Sequence, residues 1–286
     1  SLTVNFSKFL SLRTAGSFSV QSTRTDKFYN KGTQLADRGS GPYGSSDYNK
    51  TLRWTVTNQL SYKRTFQKKH KVDAILGQEM SFSSRSGFFG EAKKFPTDNL
   101  GSDNLSLGAV ASSVTSHRAE SRRLSFFMRG FYGYKDKYMI TATVRGDASS
   151  VFSQKHKWGC FPSFSAAWNM SKEGWFESVA AVSNLKVRAG WGMVGNDRIA
   201  NYLSLQLYNS TKYGAGSSQS TVLYPAHLPN AGLKWEAAMT TNVGVDLGLF
   251  NDRLNVTVDA FLKDSKDLLL AQDLTFVTGF ASQQQN

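Results

Sequence analysis

Hydrophobic and polar residues alternate along most of this chain. From Leu52 to Phe66, one side of a two-residue repeat carries Leu52, Trp54, Val56, Leu60, Tyr62 and Phe66. The other side carries Arg53, Thr55, Thr57, Gln59, Ser61, Lys63 and Thr65, and Asn58 and Arg64 are exceptions on the apolar side. Successive side chains of a strand point to opposite faces, so this pattern predicts a β-strand with one apolar and one polar face. The same repeat runs through Leu2–Lys8, Ser11–Thr25, Lys71–Ser84, Ser121–Tyr134 and Tyr138–Arg145. It returns at Phe161–Met170, Leu185–Met193, Lys234–Phe250 and Arg253–Leu269. About ten strands are therefore expected.

The connections alternate in length. Short turns are expected near Phe9-Leu10, at Gln67–His70, at Lys135-Asp136 and at Asn251-Asp252. Long loops are expected at Asp26–Asn49, Arg85–Glu120 and Val194–Leu233, the last with an extra short strand in NYLSLQLY (Asn201–Tyr208). Gly146–Trp158 reads as a further loop on the long-loop side, and Lys172–Ser183 as a brief connection holding one helical turn. Tight turns at one end and long loops at the other describe an up-and-down antiparallel meander, whereas a soluble sandwich has no reason to keep its long loops together. Alternation alone leaves open whether the apolar face meets a protein core or lipid. Tyr132, Tyr134, Tyr138, Trp168 and Trp175 near strand ends fit an interfacial aromatic girdle. The expected fold class is all-β, an antiparallel up-and-down transmembrane β-barrel, with a soluble all-β protein as the alternative.

Composition supports strands over helices: aromatics are 13%, glycine is plentiful at 24 residues and proline scarce at 5. No run of apolar residues is long enough for a spanning helix, but a barrel strand needs only about 9–11 alternating residues. The net charge of +13 comes from cations placed singly, such as Arg53, Lys63, Arg145, Lys186 and Arg188. With no basic block or stripe, no nucleic-acid partner is expected. The charge suits solvated loops, a polar interior and, to a lesser degree, anionic headgroups at a membrane surface.

Catalytic chemistry is not legible. Cys160 is the only cysteine, so no internal disulfide forms, and it is expected to be buried beside Phe161. His70, His117, His156 and His227 are far apart and expected in loops and turns, with no zinc-ligand spacing. Arg145-Gly146-Asp147 is read as a strand-end turn rather than an adhesion signal, and Val194–Asp197 lacks a phosphate-loop context. Gly190 and Gly192 are expected within a strand, relieving crowding. No catalytic residue, metal or cofactor is expected, and no enzyme activity. Binding falls to the loops, where Tyr29 and other aromatics stand among Asn, Asp and Ser. The candidate substrate-binding residues are Tyr43, Phe88, Phe89, Tyr202, Tyr208, Tyr213 and Tyr224, because aromatic faces stack on sugar rings while polar neighbours bond hydroxyls; a peptide could use the same surface.

Several phrases resemble the SusC/RagA-type TonB-dependent transporters of the Bacteroidetes outer membrane. They are DKYMITATVRGDASSVF (Asp136–Phe152), KWGCFPSFSAAWNMSKEGWF (Lys157–Phe176), LKVRAGWGMVGNDRIANY (Leu185–Tyr202), the late hairpin at Leu233–Leu270, and VDAILGQEM (Val72–Met80). They fall in the family's order. The resemblance implies a barrel of roughly 22 strands around an N-terminal plug, in contact with outer-membrane lipids. It implies a SusD-like surface lipoprotein as lid, the TonB-ExbB-ExbD complex as energy source, and an oligosaccharide or peptide nutrient as cargo. Residues 1–286 are then expected to be a portion of one barrel domain, with the plug domain and the C-terminal closing strands absent from this stretch. The alternatives are a soluble all-β carbohydrate-binding module and an outer-membrane enzyme, for which no catalytic set can be assembled.

Overall fold

A computed structural model describes residues 1–34, 36, 41–178, 182–214 and 220–286. Among the described residues, ten strands form the main sheet: β1 (Leu2–Asn5), β2 (Leu10–Tyr29), β3 (Tyr43–Phe66), β4 (His70–Lys93), β5 (Val110–Tyr134), β6 (Tyr138–Ser149), β7 (Trp158–Asn169), β8 (Val182–Asn196), β11 (Glu236–Leu249) and β12 (Leu254–Lys266). They neighbour one another in sequence order, as an antiparallel meander requires. Between β8 and β11 lies a separate hairpin, β9 (Tyr208–Tyr213) with β10 (Ser220–Pro225); after β12 lies another, β13 (Leu270–Asp273) with β14 (Ser282–Gln285).

Register turns the sequence alternation into two unlike faces. Tyr132 opposes Ile140, which opposes Ala166, then Ala189, Val243 and Ala260, so an apolar row crosses from β5 to β12. Three positions along, Arg129, Thr143, Ser163, Gly192, Thr240 and Lys263 form a polar row. The apolar row is largely solvent-facing here, with Ile140 43% and Val243 48% exposed. A soluble fold would bury that face; this one offers it.

The tight turns hold non-glycine residues in the left-handed region: Gln67 and Lys68 at φ 50° and 56°, Lys135 and Asp136 at 51° and 53°. Two successive positive φ values match the twist of antiparallel neighbours. Between β7 and β8, Met170–Lys172 and Gly174–Ser178 are 3₁₀ turns where one helical turn is expected; residues 179–181 of that expectation lie outside the described residues.

Several expected boundaries move. The loop expected at Asp26–Asn49 shrinks, because β2 runs to Tyr29 and β3 starts at Tyr43; residues 35 and 37–40 of it lie outside the described residues. The loop expected at Arg85–Glu120 shrinks likewise between Lys93 and Val110, and that at Gly146–Trp158 between Ser149 and Trp158. Where neither face is apolar no alternation is required, so backbone pairing continues through Gly/Ser-rich sequence without a hydrophobic signature. NYLSLQLY is not a strand apart from Tyr208, the first residue of β9, and the stretch from Leu270 pairs as β13–β14.

Cys160 is exposed. Its neighbour Phe161 is buried, and adjacent strand residues point oppositely, so the burial that is expected for the pair belongs to Phe161 alone. His70 opens β4 and His117 lies within β5, not in loops.

The chain packs as two compact units. The larger comprises Ser1–Gly16, Val56–Met80 and Arg122–Asn286; the smaller comprises Ser17–Thr55 and Ser81–Ser121. The larger has a small apolar centre of Val151, Phe152 and Leu233, packed by Ile199, Leu203, Trp235 and Leu269. In the smaller, Phe28 meets Phe95 edge-on at 5.2 Å, and both rings lie with Leu105 over Gly44.

Candidate functional site

The polar face of the larger unit is built from charges that the strands bring together over long sequence distances. Arg145 in β6 donates to both carboxylate oxygens of Asp147 at 2.8 and 3.0 Å, to Glu79 of β4 at 3.1 Å, and to the buried Ser125 hydroxyl of β5 at 2.9 Å. Its guanidinium lies 5.5 Å from the ring centre of Phe127, and that ring fills the space over Gly77. Thr57 of β3 adds a 3.3 Å bond to Glu79. Arg145-Gly146-Asp147 is therefore not a turn: residues two apart in a strand share a face, and these two form an ion pair.

A second set repeats the design. Arg188 of β8 makes two 2.9 Å bonds to Asp246 of β11 and reaches Asp259 of β12 at 3.2 Å, while Thr257 donates to Asp246 at 3.2 Å. Bidentate arginine–carboxylate geometry fixes direction as well as charge. Towards the tight turns, Lys63, Asp73, Ile75, Arg129 and Phe131 line an open groove. Farther along, Arg123 donates to both oxygens of the buried Asp197 at 2.6 and 2.8 Å. These paired groups are where the sequence reading was blind. The available signal was charge at polar-face positions of expected strands, but nothing local links Arg145 to Glu79, 66 positions away.

The seven candidate aromatics do not form one surface within either unit. Tyr43, Phe88 and Phe89 belong to the smaller unit, the other four to the larger. Tyr43 donates to Glu91 at 2.9 Å and lies beside Tyr29. Phe88 and Phe89 are consecutive in β4 and point to opposite faces, with Phe88 the exposed one. Tyr202 sits in a turn at φ 70°. Tyr208, Tyr213 and Tyr224 stand on β9–β10, a hairpin whose twelve strand residues are all exposed. Its register puts Tyr213 and Tyr224 on one face and Tyr208 on the other.

At the tight-turn end, aromatic rings stack across strands on the apolar face: Tyr134 with Tyr138, and Tyr138 with Trp168. Glu173, outside the strands, ties them down. It accepts from Tyr138 at 2.6 Å, Lys137 at 3.0 Å and Trp168 at 3.2 Å, and these three donors hold its pKa at about 2. Asp136, in the next turn, is held below its ordinary value by the Lys71 ammonium 2.6 Å away. Among the described residues, no cluster of three or more His, Cys, Asp or Glu side chains could hold a metal ion.

The family profile described as "TonB dependent receptor-like, beta-barrel" matches residues 1–286. The chain belongs to that TonB-dependent receptor family. TonB-dependent receptor P3 of Formosa agariphila is 32% identical over 277 residues, covering 97% of this chain and 28% of that protein. SusC of Bacteroides thetaiotaomicron is 33% identical over 174 residues, 59% of this chain and 17% of SusC. Among solved structures, the RagAB peptide transporter aligns over 99% of this chain and 31% of its own, with TM-score 0.89 and 25% identity. The chain thus spans less than a third of each of these three relatives. The expected fold, a partial antiparallel TonB-dependent receptor barrel, stands, and the soluble carbohydrate-binding alternative finds no support. The family is one of receptors and transporters rather than an enzyme class.

Spacing along β5 agrees with the receptor fold. Phe126, which stacks on Trp158, and Tyr134, which stacks on Tyr138, are eight residues apart on the apolar face. That is about 26 Å along a strand and about 20 Å along the axis of a tilted barrel, close to the roughly 25 Å apolar band between aromatic girdles.

Proposed function

We propose that this chain is part of the wall of an outer-membrane transporter of the SusC/RagA type, which imports an oligomeric nutrient using energy delivered by TonB-ExbB-ExbD. One observation carries the reading: the ten-stranded meander, apolar on one face and charge-lined on the other, matches the RagAB peptide transporter over 99% of its length at TM-score 0.89. In such a barrel the apolar face meets lipid and the polar face lines the interior. Residues 1–286 then form a portion of one barrel domain that closes around a plug. The long connections reach outward, towards a SusD-like lipoprotein lid, and the tight turns face the periplasm.

The cargo reading is an oligosaccharide or a peptide. Exposed Tyr208, Tyr213 and Tyr224 on β9–β10 suit stacking on sugar rings, and the likeness to a peptide transporter favours peptides. Phe88, exposed on β4, is the strongest candidate in the smaller unit. The test is fractionation of the full-length receptor from its native host, then detergent co-purification and growth of a deletion strain on defined oligosaccharides or oligopeptides. Outer-membrane recovery with a surface lipoprotein, and loss of growth on one cargo class, is the expected result. Recovery in the soluble fraction refutes the reading.

A further inference from the structure

We propose that the tight-turn end of the larger unit carries a binding site for the headgroup of an anionic phospholipid. Arg64, Lys68 and Lys69 form it, with Lys8 and Lys135 at its flanks and Phe9 and Phe66 beneath the acyl chains. The proposal rests on the membrane orientation given under Proposed function, and goes beyond transport.

Arg64 is the first clue. It shares the apolar face of β3 with Tyr62 and Phe66, where an unshielded cation is costly. Its guanidinium stands 4.7 Å from the Phe9 ring centre and 4.6 Å from that of Phe66. The two rings flank the guanidinium itself and hold the charge at the level where headgroups begin. Both rings are over a third exposed, Phe9 39% and Phe66 37%, so lipid can reach them.

The neighbouring turns add charge from two directions. The Lys63 amide donates to the Phe9 carbonyl at 2.8 Å, Lys69 to Phe66 at 3.0 Å and Lys135 to Lys69 at 2.7 Å, which ties three turns side by side. Lys135 extends over the Tyr134 ring, 5.4 Å from its centre, on the lipid side. Lys68 and Lys135 both sit at positive φ, positions that favour glycine, asparagine or aspartate. Lysine there serves no hairpin purpose and suits a surface that needs cations.

Local carboxylates do not neutralise the cluster. Asp136 is taken by Lys71 at 2.6 Å and Glu173 by Lys137 at 3.0 Å. Among the described residues, Lys8, Arg64, Lys68, Lys69 and Lys135 make no ion pair. Several uncompensated cations beside apolar rings at the edge of a hydrocarbon band match the phosphate of a glycerophospholipid, with a net negative headgroup preferred over a zwitterionic one. Tight turns of outer-membrane barrels face the periplasm, so the ligand comes from the phospholipid leaflet rather than from lipopolysaccharide.

The experiment titrates phosphatidylglycerol, phosphatidylethanolamine and lipopolysaccharide separately onto the full-length receptor in detergent, read by native mass spectrometry. Phosphatidylglycerol should bind tightest. Replacing Arg64→Gln, Lys68→Gln and Lys69→Gln together should weaken it about a hundredfold, at about fivefold per cation, while Arg64→Lys retains most binding. Single Arg64→Gln and Lys69→Gln variants serve if the triple variant does not fold, each judged folded by heat-modifiable migration. Unchanged phosphatidylglycerol affinity in these variants overturns the proposal. So does equal affinity for phosphatidylethanolamine, or an equal loss on neutralising Arg118, a cation of the smaller unit. Failure of the receptor to reach the outer membrane would instead refute the orientation, a result read from fractionation alone.

Discussion

Gly77→Ala isolates the packing beneath the Arg145 network. A methyl at Gly77 would occupy the space of the Phe127 ring, closer than atoms can approach. The ring cannot withdraw freely, because the Arg145 guanidinium lies 5.5 Å from its centre and is itself held by Asp147, Glu79 and Ser125. Overpacking a filled site costs about 1–3 kcal/mol. Removing a strand glycine returns about 0.5–1 kcal/mol of backbone entropy, so the net loss should be up to about 2.5 kcal/mol. Gly130, in β5, is the control: a methyl there meets nothing within 4 Å, so Gly130→Ala should be stabilising by up to about 1 kcal/mol.

The assay is the urea midpoint of the full-length receptor folded into phospholipid vesicles, followed by tryptophan fluorescence. Each kcal/mol moves a midpoint by roughly 0.3–1 M, enough to separate opposite signs. Phe127→Leu combined with Gly77→Ala should recover most of the loss, because the double variant removes the clash. Midpoints that move the same way in Gly77→Ala and Gly130→Ala, or a double variant that is merely additive, would refute the reasoning.

Three further outcomes are expected. Glu173, ordinarily near 4.5 and held at about 2, contributes stability that is full above about pH 4.5 and lost as pH falls toward 2; Glu173→Gln should flatten that slope in the heat-modifiable melting temperature measured from pH 7 to pH 3. Arg188→Met strips the cation from Asp246 and Asp259 and should lower the urea midpoint, with much of the loss restored by adding Asp246→Asn. Asn58 accepts from Thr14 at 2.9 Å and donates to Gln78 at 2.8 Å, so Asn58→Leu alone should destabilise by about 1 kcal/mol; replacing Thr14, Asn58 and Gln78 together by Val, Leu and Leu should be neutral or stabilising in the same assay.

The strand count of the main sheet, the antiparallel order and the alternation of tight and long connections were legible because one continuous apolar face imposes a strict two-residue repeat. The legibility ends where that face does. Tyr43–Thr51, Arg85–Lys93 and Val110–Glu120 pair as strand without an apolar face to announce it. Asn58 and Arg64 were visible as breaks in the pattern, but their resolution was not. Asn58 needs polar partners on β2 and β4, and Arg64 needs the Phe9 ring from the turn before β2 beside its own strand's Phe66. The Arg145 and Arg188 networks were illegible for the same reason, since each partner arrives through register. The candidate aromatics were chosen by residue type in expected loops, yet Tyr43, Phe88 and Phe89 lie in strands, where alternation, not type, decides which way each points.

The Arg188 cluster also shows why these measurements require the full-length receptor. Asp259 sits on β12, which pairs with β11 on one side, and all thirteen of its residues are exposed. A long strand with Val256, Val258 and Leu262 on one face and Asp259 and Lys263 on the other presents a free row of amides and carbonyls, which hydrocarbon does not tolerate unpaired. In a closed barrel another strand occupies that edge, dries the apolar face against lipid and screens one side of Arg188, Asp246 and Asp259. The pair would then be less exposed than it is here, and a charge left alone by Arg188→Met correspondingly costlier. A large midpoint loss for Arg188→Met in the full-length receptor would therefore report closure of the barrel beside β12, and a loss near zero would mean that the edge stays wet.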